Sequence, residues 1–138
     1  MNEQQNVQVV RDAYAAFQRG DIAHVLERVS DDVEWQLLGP AEIPNSGLRR
    51  GRQEVTRFFQ DVAATWAIEV FEPRQFVAQG DTVVVLGRYA GKAKATQRPY
   101  GGEFAHVFTL RDGKVTHYVE FGDTAMLMAA LALVPARA

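Results

Sequence analysis

His106 and Glu120 are the residues of this 138-residue chain whose types and placement best suit proton transfer. Asp112-Gly113, lying between two apolar runs, is a strong hairpin signal. Closed as a three-residue loop with a glycine bulge, the hairpin sets Phe108 opposite Tyr118 and His106 opposite Glu120 on one face. A carboxylate across from an imidazole fixes its tautomer and raises its basicity. With an unperturbed pKa of about 6.5, His106 is then the general base and Glu120 its orienter. A two-residue turn would instead put them on opposite faces, and polar pairs are also buried for structural reasons alone, so these alternatives stay open.

Aromatic residues recur where they can wall a pocket around that pair. Tyr14 and Phe17 share a face of the first helix, Trp35 lies on the first strand, Phe58 and Phe59 on the third helix, and Phe108 and Tyr118 beside the polar pair. Such rings can sandwich a flat, mainly apolar ligand, and the same spacing also describes ordinary core. Arg49, Arg50 and Arg52 either guard the pocket mouth or form a solvated loop. His24 and His117 read as structural or solvent-facing. The three histidines are far apart, with no helical histidine pair and no Asp-rich loop, so no metal is expected. Gly87, Gly91 and Gly101-Gly102 do not form a phosphate-cradling loop, so no nucleotide or other cofactor is expected.

The elements that position these residues follow from periodicity. Val7, Val10, Tyr14 and Phe17 line a helix ending near Gly20, and Asp21 caps a short second one carrying Ile22, Val25 and Leu26. Val33, Trp35 and Leu37 alternate as a strand that Gly39-Pro40 stops, and a loop runs to Gly51. Glu54 to Val62 give a third helix. Residues 69–78, 82–95, 103–110 and 115–121 read as strands, separated by Gly80-Asp81, by 98–102 and by Asp112-Gly113. A short apolar helix over 125–133 closes the chain, and its end AALALVPARA is expected to fray. Helices first and antiparallel strands afterwards predict an α+β domain with helices on one face of a curved sheet.

Composition narrows the function classes. The length and the 47% apolar content suit one domain, 1–138, with its core over about 5–132. A formal net charge of -2 with interspersed signs and no basic block argues against nucleic acid. There is no cysteine, hence no disulfide or thiolate chemistry, and the default compartment is the cytoplasm. No leader-like or membrane-spanning run is visible, so no membrane partner is expected. Val83, Val85, Val107 and Val119, read as an apolar outer sheet face, predict a homodimer through the sheet.

Gly20-Asp21-Ile22, Ser30-Asp31-Asp32-Val33, Gly51-Arg52-Gln53-Glu54-Val55 with Phe58-Phe59, and Arg111 to Val115 running into Phe121-Gly122-Asp123-Thr124 resemble the ketosteroid isomerases and SnoaL-like polyketide cyclases. The resemblance spans nearly the whole chain. It implies the cone-shaped nuclear-transport-factor-2-like (cystatin-like) fold, with N-terminal helices in the concave face of a strongly curved, mostly antiparallel sheet. It also implies a dimer and a small-molecule pocket. In the isomerases a base follows the first strand, where this chain has Gln36 or Leu37; their helical tyrosine falls at Ala13, one residue before Tyr14, and their second acid near Glu103 or Phe104. Epoxide hydrolases of this type would match only at Glu120 and Arg88. In the cyclases an acid/base aspartate precedes the hairpin, at the place of His106. Two functions follow as expectations: acid/base catalysis of isomerase or cyclase type, without cofactor, on a small apolar carbonyl or polyketide-like compound, and a non-catalytic ligand-binding or scaffold module.

Overall fold

The computed structural model describes residues 2–133. Helix α1 (Glu3–Gln18) begins at a capping box in which the Asn2 side chain accepts from the Gln5 amide while Gln5 reaches back to the Asn2 amide. It starts a turn earlier than the apolar spacing predicts, because capping rather than hydrophobicity holds that turn. Gly20, at φ 77°, lets the chain reverse into α2 (Ile22–Glu27), where the Asp21 carboxylate accepts from the His24 amide as expected of a cap.

Strand β1 (Val29–Leu37) is followed by a strand that periodicity missed, β2 (Gly47–Arg50), in the stretch read as loop. It is four residues long, too short to show alternation, and pairing with β1 (Leu48 opposite Gln36) defines it. Helix α3 (Gly51–Thr65) leads into β3 (Trp66–Gln79), β4 (Thr82–Ala93), β5 (Pro99–Arg111) and β6 (Lys114–Gly122), and α4 (Thr124–Ala130) ends the described structure. Residues 99–102, expected in a turn, belong to β5: Tyr100 pairs with Gly91 and Gly102 with Tyr89. The reversal lies earlier, over Lys94 to Arg98, where Gln97 takes φ 61°. The closing helix is shorter than the 125–133 expected, stopping at a C-cap on Leu131. Residues 134–138 of the apolar end lie outside the described residues.

The strands form one six-stranded sheet in the order β2-β1-β6-β5-β4-β3, antiparallel except for the parallel pair β1 and β6. Register shifts in β1, in β3 and between β5 and β6 bend it. The helices cover one face, where Val10, Tyr14, Val55, Phe58 and Phe59 meet the inward side chains of the strands. Val83 and Val85, expected on the outer face, point inward. They pair directly with Phe108 and His106 and are 0% exposed, and directly opposed residues share a face. The outer face carries Val84, Leu86, Val107, Val119 and Phe121 instead, with Leu86 at 41% and Phe121 at 47% exposure. Among the described residues no helix is long and apolar enough to cross a membrane.

Candidate functional site

The β5–β6 hairpin brings His106 opposite Glu120 and Phe108 opposite Tyr118, but not by the loop expected. Arg111 pairs with Lys114, so the turn has two residues, with Asp112 at φ 52° and Gly113 at φ 76°, the conformation of a type I′ turn. Alone, that turn would set Glu120 on the far face. A bulge corrects it. Thr109 pairs with His117 and Leu110 with Val115, leaving Thr116 as an extra residue whose hydroxyl donates to the Thr109 carbonyl at 3.2 Å. One inserted residue exchanges the faces of the rest of β6.

The inward residues of β5 and β6, with those of α1, α3, β1, β3 and β4, enclose an apolar cavity of about 100 Å³. Tyr14, Phe17, Trp35, Phe58, Phe108 and Tyr118, the aromatic residues expected around the pair, all line it. Trp35 stacks on Tyr118 with ring centroids 3.9 Å apart, and Phe104 stacks on His106 at 4.0 Å. The polar groups form a chain through this wall. The Tyr14 hydroxyl lies 2.7 Å from His106 Nδ1, His106 Nε2 lies 3.6 Å from Glu120 Oε1, and the Tyr118 hydroxyl donates to Glu120 Oε1 at 2.9 Å.

Desolvation sets the charges. Burial pushes His106 down from 6.5 to about 3 and Glu120 up from 4.5 to about 7, the latter opposed by the Tyr118 hydrogen bond. Burial and the neighbouring Glu120 carboxylate raise the Tyr14, Tyr89 and Tyr118 phenols, so each keeps its proton. The Tyr14 proton has no acceptor among the described residues except His106 Nδ1. Donation to Nδ1 puts the neutral imidazole's own proton on Nε2, facing Glu120.

Sequence reasoning missed other wall residues: Asn45, Trp66, Phe71, Tyr89, Tyr100 and Phe104. Phe104 lies in step with His106 and Phe108 in the strand read over 103–110, and Tyr100 would have extended that alternation had Gly101-Gly102 not been taken for a turn. Asn45 sits in a loop without periodicity and carries no such signal. The arginines are engaged elsewhere: Arg49 pairs with Asp61 at 2.9 Å, Arg52 with Asp31 at 2.8 Å, and Arg50 lies 3.7 Å from Glu34. His24 bonds Asp12 at 2.7 Å, and His117 is exposed near Glu34. Arg88 pairs with Glu72 at 2.8 Å, away from Glu120. Among the described residues no three His, Cys, Asp or Glu side chains gather as metal ligands would.

The family model described as SnoaL-like domain matches residues 10–118. A nuclear-transport-factor-2-like protein from Burkholderia xenovorans is 36% identical, with a TM-score of 0.86 over 94% of this chain and 98% of that one. One from Burkholderia thailandensis is 30% identical, with a TM-score of 0.84 over 95% and 98%. TerC, crystallised with polyporic acid, is 27% identical, with a TM-score of 0.80 over 93% of this chain and 98% of that one. No curated protein matches the chain in sequence. On the match over 10–118 and the likeness of the whole fold, the chain belongs to the SnoaL-like domain family of the nuclear-transport-factor-2-like superfamily.

Proposed function

We propose that the chain is an acid/base enzyme of isomerase or cyclase type, acting on a small, flat, mainly apolar carbonyl compound. The observation that carries this is a buried carboxyl and a neutral imidazole 3.6 Å apart inside an otherwise apolar cavity. Glu120 is the proton carrier, because its pKa of about 7 leaves both forms populated near neutrality. His106, held by Tyr14, offers Nε2–H to the substrate oxygen. The separation from Glu120 exceeds a hydrogen bond and leaves that donor free for a substrate oxygen approaching from the cavity. In this reading Glu120 rather than His106, the base expected from sequence, carries the proton, and His106 serves as a hydrogen-bond donor. Removal of a proton from the carbon beside a carbonyl moves the C–H electron pair toward the carbonyl oxygen. Where a C=C is conjugated with that enolate, return of the proton from Glu120 to its far carbon lets the oxygen's electron pair re-form the carbonyl while the double bond shifts, which completes an isomerisation. The polyporic acid complex of TerC supports a small organic ligand for this fold.

A binding module without turnover is favoured by one observation: Gln36 or Leu37, neither able to take up a proton, falls where the resemblance to the isomerases implies a base. Glu120→Gln decides between the two. For the enzyme, kcat/KM against an aromatic ketone or polyketide-like substrate rises with pH through about 7 in the wild type. The variant loses both this limb and about 10²- to 10⁴-fold in rate. Turnover unchanged in the variant would remove Glu120 from the chemistry. Wild type that binds such compounds in the cavity without converting any of them would establish the binding module. We also propose a cytoplasmic homodimer, joined through the outer sheet face.

A further inference from the structure

The cavity has a second set of polar wall residues besides His106 and Glu120, at Asn45 and at Tyr100 near the start of β5. Trp66 Nε1 donates to Asn45 Oδ1 at 2.9 Å. An indole N–H can only donate, so the oxygen must face it, and Nδ2 with its two protons must face away. Asn45 is 6% exposed, lines the cavity, and its Nδ2 makes no hydrogen bond among the described residues. Tyr100 is 4% exposed and packs on Trp66 with ring centroids 4.8 Å apart; its hydroxyl likewise has no partner there. Neither atom is sealed off: among the described residues the fully enclosed side-chain polar atoms without partners are Ser30 Oγ and Trp35 Nε1. Buried polar groups are almost always hydrogen-bonded, so two unpaired ones that both contact Trp66 on a cavity wall point to a ligand atom. Along β5, ~20 Å of extended strand separates Tyr100 from His106, a distance that inward-leaning side chains shorten.

We propose that Asn45 and Tyr100 form a specificity-determining subsite that donates to a hydrogen-bond-accepting oxygen at the far end of the ligand. Resting on the cavity described above, the substrate class becomes an elongated aromatic or polyketide-like compound with two separated oxygens. One meets His106 and Glu120; the other, a carbonyl or carboxylate oxygen, meets the Asn45 amide and Tyr100 hydroxyl. Trp66 is a positioning residue, turning the amide so that its donor edge faces the ligand.

Calorimetric affinities test this with pairs differing by one acetyl group: 1,4-diacetylbenzene against acetophenone, and 4,4′-diacetylbiphenyl against 4-acetylbiphenyl. Wild type should prefer the diketone about tenfold at one of the two lengths. Tyr100→Phe should reduce this advantage to about twofold or less, and Asn45→Asp, which keeps the acceptor for Trp66 and replaces the donor edge by an oxygen, should abolish or reverse it. Thermal melts check that both variants fold, and Tyr100→Phe, which deletes one exposed-to-cavity oxygen, carries the test if Asn45→Asp does not. Glu120→Gln should retain the preference whatever it does to turnover, so failure of the proton-transfer chemistry and failure of the subsite are told apart. Equal affinities within both pairs, or a diketone advantage that survives Tyr100→Phe, would overturn the subsite.

Discussion

Burial acts on His106 and Glu120 in opposite senses of charge and leaves each neutral over much of the accessible pH range. His106 in the fold stays neutral down to about 3, whereas the unfolded imidazole takes a proton below 6.5. Unfolding is therefore favoured as pH falls below 6.5. Glu120 in the fold keeps its proton up to about 7, whereas the unfolded carboxyl releases it above 4.5, so unfolding is favoured as pH rises from 4.5 to 7. Between 4.5 and 6.5 the two slopes cancel, and the pair gives a plateau of stability falling off on both sides. Urea titrations should find wild type less stable at pH 8 than at pH 6. Glu120→Gln should reverse the difference and become more stable at pH 8 than at pH 6, because the net fall past the plateau, about 1 kcal/mol or less, comes from Glu120, and only the opposing His106 slope is left. An alkaline fall undiminished in the variant would assign it to another group.

At the scale of elements, the sheet is fitted around its aromatic side chains by glycines with distinct tolerances. A Cβ on Gly91 would lie 2.0 Å from the Ala67 carbonyl oxygen and 3.0 Å from the Tyr100 hydroxyl, and one on Gly87 would lie 2.6 Å from the Phe104 ring. A Cβ on Gly101 meets nothing nearer than 3.6 Å. Gly91→Ala should destabilise the fold by ~1–3 kcal/mol or more, since the obstructing atom is backbone and cannot turn aside. Gly101→Ala should stay within ~0.5 kcal/mol of wild type. Chemical denaturation of the two side by side checks this. A smaller loss for Gly91→Ala than for Gly101→Ala would mean that β3 and β4 are not held as described.

For the whole molecule, the outer sheet face exposes Leu86 and Phe121, flanked by Val84, Val107 and Val119, while the opposite face is filled by helices. A connected apolar surface of this kind is costly to leave in water. Phe121→Asp should turn a concentration-dependent dimer into a monomer in sedimentation velocity, with its melting temperature losing any dependence on protein concentration. Wild type sedimenting as a monomer at micromolar concentration would refute dimerisation through this face.

The sequence by itself determined the order of elements, because amphipathic spacing in α1 to α3 and alternation in the strands are local properties of the chain. It also marked Asp112-Gly113 as the reversal and gathered His106, Glu120, Phe108 and Tyr118 around it. Only the tertiary structure decided their common face. The type I′ turn alone predicts the wrong face, and the Thr116 bulge that corrects it is fixed by the pairing of β6 with both β1 and β5. Strand β2, the inward facing of Val83 and Val85, and the strand placement of Tyr100 were illegible for the same reason, being defined by neighbours distant in sequence. The proton affinities of His106 and Glu120 belong to the enclosure, since removing water from around a side chain requires the whole wall.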